Sequence, residues 1–194
     1  ANSLPNILTT ASYMTFPRRI SEWSSPRGLG LIDSGVRRIV KNASFPVFLA
    51  SPTYTEWKSV TALYDGTHLG CHAIQTAFHI AERTGFPLSL FTQRKRYPLH
   101  EYEQKLHECG LWEKIHKEKV AWSIHEQDEW DESLIQVPSD SLVVMGSTGY
   151  RSLKEILFGN DMEKIQRILP NPILAFGTHF IPPRHDAMDR QENR

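Results

Sequence analysis

Charge of one sign is what this chain most conspicuously lacks. Lys and Arg together number 22, and so do Asp and Glu, so the formal charge is zero. That balance offers no broad surface for a polyanion, and neither nucleic acid nor an anionic membrane is expected as a partner. Arg94-Lys-Arg96 is too short a run to alter this and reads as a solvated loop. Long apolar runs are missing as well: none approaches the roughly 20 residues needed to cross a bilayer. The first residues carry no charged start followed by an apolar core, so no signal peptide is expected. Cysteine is scarce, with two in 194 residues. Cys71 and Cys109 each fall on the apolar stripe of a predicted helix and read as buried free thiols, which suits a reducing compartment and a cytoplasmic location. Nine histidines are scattered along the chain. His68 and His72 are four apart and can share a helix face, but no third ligand sits at metal-site spacing, so they read as surface residues and no metal site is expected.

What is present is an ordinary globular composition, 40% hydrophobic and 23% charged. The length suits one full α/β domain with something left over. From Val60 the pattern is clean. Val60-Thr-Ala-Leu-Tyr64 reads as a buried strand ending at Asp65-Gly66. A helix comes next, with Cys71, Ile74, Ala77, Phe78 and Ala81 on one face and Gly85 as its stop. Leu88-Ser-Leu-Phe-Thr92 is a second strand. Leu99, Tyr102, Leu106 and Cys109 mark a second helix ending near Gly110. Val120-Ala-Trp-Ser-Ile124 is a third strand, and a short helix is predicted over 130–137, broken at Pro138. Leu142-Val-Val-Met145 is the fourth strand. Leu153, Ile156 and Leu157 start a helical stretch that Met162, Ile165, Ile168 and Leu169 continue. Pro172-Ile-Leu-Ala-Phe176 is the fifth strand. Strands alternating with helices predict a doubly wound, five-stranded parallel sheet of the α/β class.

The fourth strand leads into Gly146, Ser147, Thr148 and Gly149; nine residues later come Gly159 and Asn160. Glycine lets backbone approach a phosphate closely, and free N–H groups at a helix start point at negative charge. In doubly wound sheets, ligands bind at the carboxyl ends of strands where the strand order reverses. If the first and fourth strands are neighbours there, Asp65 and the glycine loop face one crevice. The Asp65 carboxylate then accepts hydrogen bonds from a ribose or base while the loop holds phosphate. Asp65-Gly66 equally suits a plain turn with a helix N-cap, and only its combination with the glycine loop favours a nucleotide.

Residues 1–57 hold an incomplete second copy. Arg38-Ile-Val-Lys-Asn-Ala-Ser-Phe-Pro-Val-Phe-Leu parallels Lys164-Ile-Gln-Arg-Ile-Leu-Pro-Asn-Pro-Ile-Leu-Ala without a gap, Pro46 matching Pro172. Asn6-Ile-Leu-Thr-Thr-Ala11 parallels Ser141-Leu-Val-Val-Met-Gly146, placing Ala11 and Asp33 where the other copy has Gly146 and Gly159. The chain thus divides into a partial domain (1–57), a complete domain (58–177) and a polar tail (178–194) expected to be extended or loosely held.

These residues resemble the universal stress protein family. Tyr64-Asp-Gly66 with its alanine-rich helix resembles the start of that domain, and Val144-Met-Gly-Ser-Thr-Gly149, the nine-residue spacer and Gly159 resemble its signature G-x2-G-x9-G-(S/T). The resemblance implies an adenine nucleotide alpha hydrolase-like fold. It implies ATP or ADP, with or without Mg2+, as the ligand: Gly146, Ser147, Thr148, Gly149, Gly159 and Asn160 on the phosphates and ribose, Asp65 and Thr92 on the adenine side. Asn160 departs from the family, standing where the motif has Ser or Thr; an amide can donate to a phosphate oxygen but is bulkier than a hydroxyl. Family members pair through their fifth strands, which predicts residues 46–50 lying against 172–176, and a homo-oligomer is expected to cover the partial copy. Three functions are consistent with this: a stress-response module that binds nucleotide and acts by signalling or partner binding; a slow ATP hydrolase or adenylyl transferase, for which Asp65 is the one evident acid; and an assembly module that binds no nucleotide. The first is the leading expectation.

Overall fold

The computed structural model describes residues 13–17, 34–51, 56–94, 97–126, 133–146 and 169–182. From residue 59 the chain runs through β3 (Ser59–Leu63), α2 (His68–Thr84), β4 (Leu88–Arg94), α3 (Leu99–Glu108), α4 (Trp112–Lys117), β5 (Ala121–Glu126), β6 (Ser141–Gly146) and β7 (Ile173–Phe176). Before β3 lie β1 (Met14–Pro17), α1 (Ser34–Asn42) and β2 (Val47–Ala50). The strands make one sheet of order β1-β2-β7-β6-β3-β4-β5. Within it, β7, β6, β3, β4 and β5 run parallel, the five-stranded doubly wound sheet expected from the sequence.

The sheet reads as near-continuous apolar runs because it is covered on both sides. Along β6, Leu142 and Val144 join a cluster with Ile74, Ala77 and Phe78 of α2, while Val143 and Met145 face Val40, Leu134 and Leu169 on the other side. All six residues of β6 are buried. Helix α2 buries Cys71, Ile74, Ala77 and Phe78, the stripe its spacing predicts, and closes at Gly85, whose N–H donates to the Ala81 carbonyl. Helix α4 was not anticipated. Its six residues are too few for periodicity to register, and it is held by Leu111 and Ile115 packing into the core. Of the short helix expected over 130–137, residues 130–132 lie outside the described residues; Ser133 and Leu134 are helical, and a turn over 135–136, with Gln136 N–H on the Ser133 carbonyl, ends the helix before Pro138. The helical stretch expected over 153–168 also lies outside them.

Strand β2 pairs antiparallel with β7, Val47 opposite Ala175 and Leu49 opposite Ile173, the intrachain pairing anticipated for 46–50 and 172–176. The strand beside β2 is not where the sequence repeat put it. Residues 7–10 lie outside the described residues, and Met14–Pro17 runs parallel to β2 with Met14 opposite Val47 and Pro17 opposite Ala50. Val143 stands opposite Ile173 in the same way, so Pro17, not Ala11, corresponds to Gly146. Among the described residues β1 has one neighbouring strand. Such a strand needs no unbroken apolar run and tolerates a proline, which is why apolarity alone misplaced it.

The expectation of a loosely held tail also fails for its first residues. Thr178 Oγ1 donates to the Lys41 carbonyl at the end of α1 (2.9 Å), and Ile181 N–H donates to the Ser44 carbonyl (3.0 Å). The Phe180 ring meets Phe176 and His72 at centroid distances of 4.7 and 5.4 Å. Carbonyls at a helix end need partners, and this segment supplies one.

Candidate functional site

The strand order reverses between β3 and β6, which pair in parallel, Leu63 opposite Met145. Asp65 and Gly146 therefore emerge at the carboxyl ends of adjacent strands, at the switch point. Local chemistry fixes both. Gly66 has φ +75°, a left-handed turn at which glycine is unstrained, and the chain reverses there into α2. Thr67 caps that helix: its Oγ1 accepts from Gly70 N–H (3.1 Å) and donates to Asp65 Oδ1 (2.6 Å). Asp65 Oδ1 also accepts from Thr67 N–H at 2.9 Å, and the residue is 3% exposed. The cap is thus Thr67, one residue past the Asp65-Gly66 turn suggested for it. Thr immediately before an apolar-periodic run was the available signal.

Gly146 is required by packing. A Cβ there would lie 2.8 Å from Leu69 Cβ and 3.2 Å from Gly70 N. The first turn of α2 crosses the end of β6 at this point, so Asp65, Gly146 and the start of α2 form one small neighbourhood. Ser147, Thr148, Gly149, Gly159 and Asn160 lie outside the described residues.

Thr92 lies on β4 at the level of Tyr64, since Leu63 pairs with Phe91. It is fully buried, and its Oγ1 accepts from the Trp122 indole N–H on β5 at 2.9 Å. Aromatic rings fill the ground around it. Tyr64 Oη donates to the Tyr102 carbonyl (3.0 Å), and a Cβ on Gly66 would lie 3.1 Å from the Tyr102 ring and 3.3 Å from that of Tyr97. Burial first, and the Asp65 charge second, push the Tyr64 phenol well above its ordinary range, so it remains a neutral donor. Sequence reasoning missed this aromatic wall because its members are far apart in the chain: Tyr64 just after β3, Tyr97 before α3, Tyr102 on α3 and Trp122 on β5.

The cysteines are a correction. Cys71 and Cys109 are joined in a disulfide, with Cα atoms 6.4 Å apart, and are not free thiols. The inference from free thiols to a reducing compartment falls with them. The reason is tertiary: the apolar stripes of α2 and α3 that carry the two residues pack into one cluster. Among the described residues no group of three or more potential metal ligands occurs, and no helix is long and apolar enough to cross a membrane.

No family model and no curated protein matches the sequence. Solved structures do match. A universal stress protein from Archaeoglobus fulgidus DSM 4304 aligns over 86% of this chain and 60% of its own, with TM-score 0.58 and 17% identity. A Pseudomonas aeruginosa UCBPP-PA14 protein described as a putative universal stress protein aligns over 86% and 63%, with TM-score 0.54 and 18% identity. The chain thus spans about 60% of the length of these structures. It shares the fold of these universal stress protein structures, a mostly parallel α/β sheet.

Proposed function

We propose that this chain is a universal-stress-type module that binds ATP or ADP at the β3–β6 reversal and acts in a stress response by signalling or partner binding. The observation that carries the reading is the meeting of Asp65 and Gly146 at the carboxyl ends of β3 and β6, the position where doubly wound sheets take ligands. The signature that starts at Gly146 supplies backbone donors for phosphate, and Asp65 an acceptor for ribose or base. On the same reading β1, α1 and β2 belong to a second copy of the fold, which supports assembly by lending β2 to β7.

A second reading, an assembly module without nucleotide, draws on specific contacts. The Thr92 hydroxyl accepts the Trp122 indole, Asp65 Oδ1 takes both Thr67 donors, and the Tyr97 and Tyr102 rings stand over Gly66. An adenine on this side would have to displace or stack on those rings.

Calorimetric titration of ATP and ADP into the wild type and Gly149→Val, with mass spectrometry of the denatured protein for co-purified nucleotide, separates the two. Binding lost in the folded variant is the expected result. Equal affinity in both refutes the site, and no binding by the wild type leaves the assembly reading.

A further inference from the structure

The two cysteines are held unequally. Cys71 lies in the first turn of α2, its N–H on the Thr67 carbonyl, and is 2% exposed. Cys109 caps the end of α3 and is half-buried beside exposed Glu108. We propose that this disulfide is a thiol–disulfide exchange site, opened by low-molecular-weight thiols or dithiols through Cys109, and that its state sets how firmly α3 is held over the Asp65–Gly66 turn. The proposal does not rest on nucleotide binding.

The chemistry is directional. A thiolate attacks in line with the sulfur–sulfur bond it breaks. At Cys109 the attacker approaches from outside and the electron pair leaves inward on Cys71 Sγ. At Cys71 it would have to approach through the core around Ile74 and Phe78. Access decides the regiochemistry. The first thiol is left bound to Cys109 and Cys71 takes a proton. A second thiol attacks the incoming sulfur of that mixed disulfide and releases Cys109. Two electrons and two protons pass from the thiols to the protein, and a disulfide oxidant reverses the sequence.

The consequence lies in what α3 carries. Tyr102 projects from it onto Gly66 and accepts the Tyr64 phenol on its carbonyl. The bond joins α2, which starts at that same turn, to the far end of α3. A surface ion pair between Glu82 of α2 and Lys114 of α4, the helix after α3, is a weaker tie on the same side of the sheet. Opening the bond removes the covalent hold and leaves α3 on its non-covalent contacts.

The test uses the full chain as purified without reductant. The folded protein is exposed to millimolar glutathione, quenched in acid, alkylated and mapped by mass spectrometry, while hydrogen exchange is followed over 99–108. The expected result is the glutathione adduct on Cys109 at least tenfold over Cys71, with faster exchange in α3 after reduction. Separately, Cys71→Ala should take up glutathione from its disulfide and Cys109→Ala should not. Two unlinked thiols before treatment, reduction only in denaturant, an adduct chiefly on Cys71, or unchanged α3 exchange after reduction each overturn the proposal.

Discussion

Removing the Thr67 hydroxyl should cost the fold about 2 kcal/mol, a loss that can be built up bond by bond. Thr67→Ala deletes the acceptor of Gly70 N–H, an N-cap bond worth about 1 kcal/mol. It also deletes the donor that reaches Asp65 Oδ1 at 2.6 Å. A hydrogen bond to a charged group is worth about 1.5–3 kcal/mol, and the lower end applies because Thr67 itself is half exposed. Asp65 keeps the Thr67 N–H at 2.9 Å, which limits the loss. The sum is about 2–2.5 kcal/mol. With a urea slope of about 2 kcal/mol/M, the unfolding midpoint should fall by about 1 M. Thr67→Ser keeps the hydroxyl and should return most of that stability. Equal midpoints for Thr67→Ala and the wild type would refute the reasoning, and so would Thr67→Ser unfolding as early as Thr67→Ala, because the methyl group would then be the part that matters.

Reducing the Cys71–Cys109 bond should lower stability by about 4 kcal/mol, from the chain entropy of a loop of 38 residues, read as a fall of about 2 M in the urea midpoint; an unchanged midpoint would contradict it. His72 is held below the usual imidazole value of 6.5, first by burial and then by the neighbouring His68, against a raising bond to Gln75. The unfolded chain therefore takes up that proton first. The stability this histidine contributes is full above about pH 6.5 and declines as pH falls through that value toward the lower folded one. Urea midpoints from about pH 8 to 5 should lose part of their slope in His72→Gln, and parallel profiles would count against the assignment.

Much of the stretch from β3 to β7 was legible because its cues are local. Val60-Thr-Ala-Leu-Tyr64 and Leu142-Val-Val-Met145 are buried on both faces, so burial writes a near-continuous apolar run into the sequence, broken only at Thr61. The stripe from Cys71 to Phe78, the stop at Gly85 and the turn at Asp65-Gly66 each depend on residues a few positions apart. Asp65 and Gly146 could be named one by one for the same reason. The pairing of β2 with β7 was expected only through the family resemblance, with the match of residues 38–49 to 164–175 naming the two segments.

Other features exist only once distant segments meet. A strand such as Met14–Pro17, with one neighbouring strand among the described residues, is not obliged to be apolar throughout, so no run marks it, and only its register with β2 locates it. Helix α4 is too short for a period and depends on the core that Leu111 and Ile115 enter. That Thr92 serves Trp122, that the Tyr97 and Tyr102 rings cover Gly66, and that Gly146 is glycine to admit Leu69 are facts about neighbours remote in the chain. Cys71 and Cys109, 38 apart, looked like two buried thiols because a helix stripe records which side faces inward and not what it meets there. By itself the sequence determined most of the elements, the inward face of each and the carboxylate and glycine at two strand ends. The tertiary structure decided which inward faces touch, because contact depends on strand order and register, and those are settled by packing across the sheet.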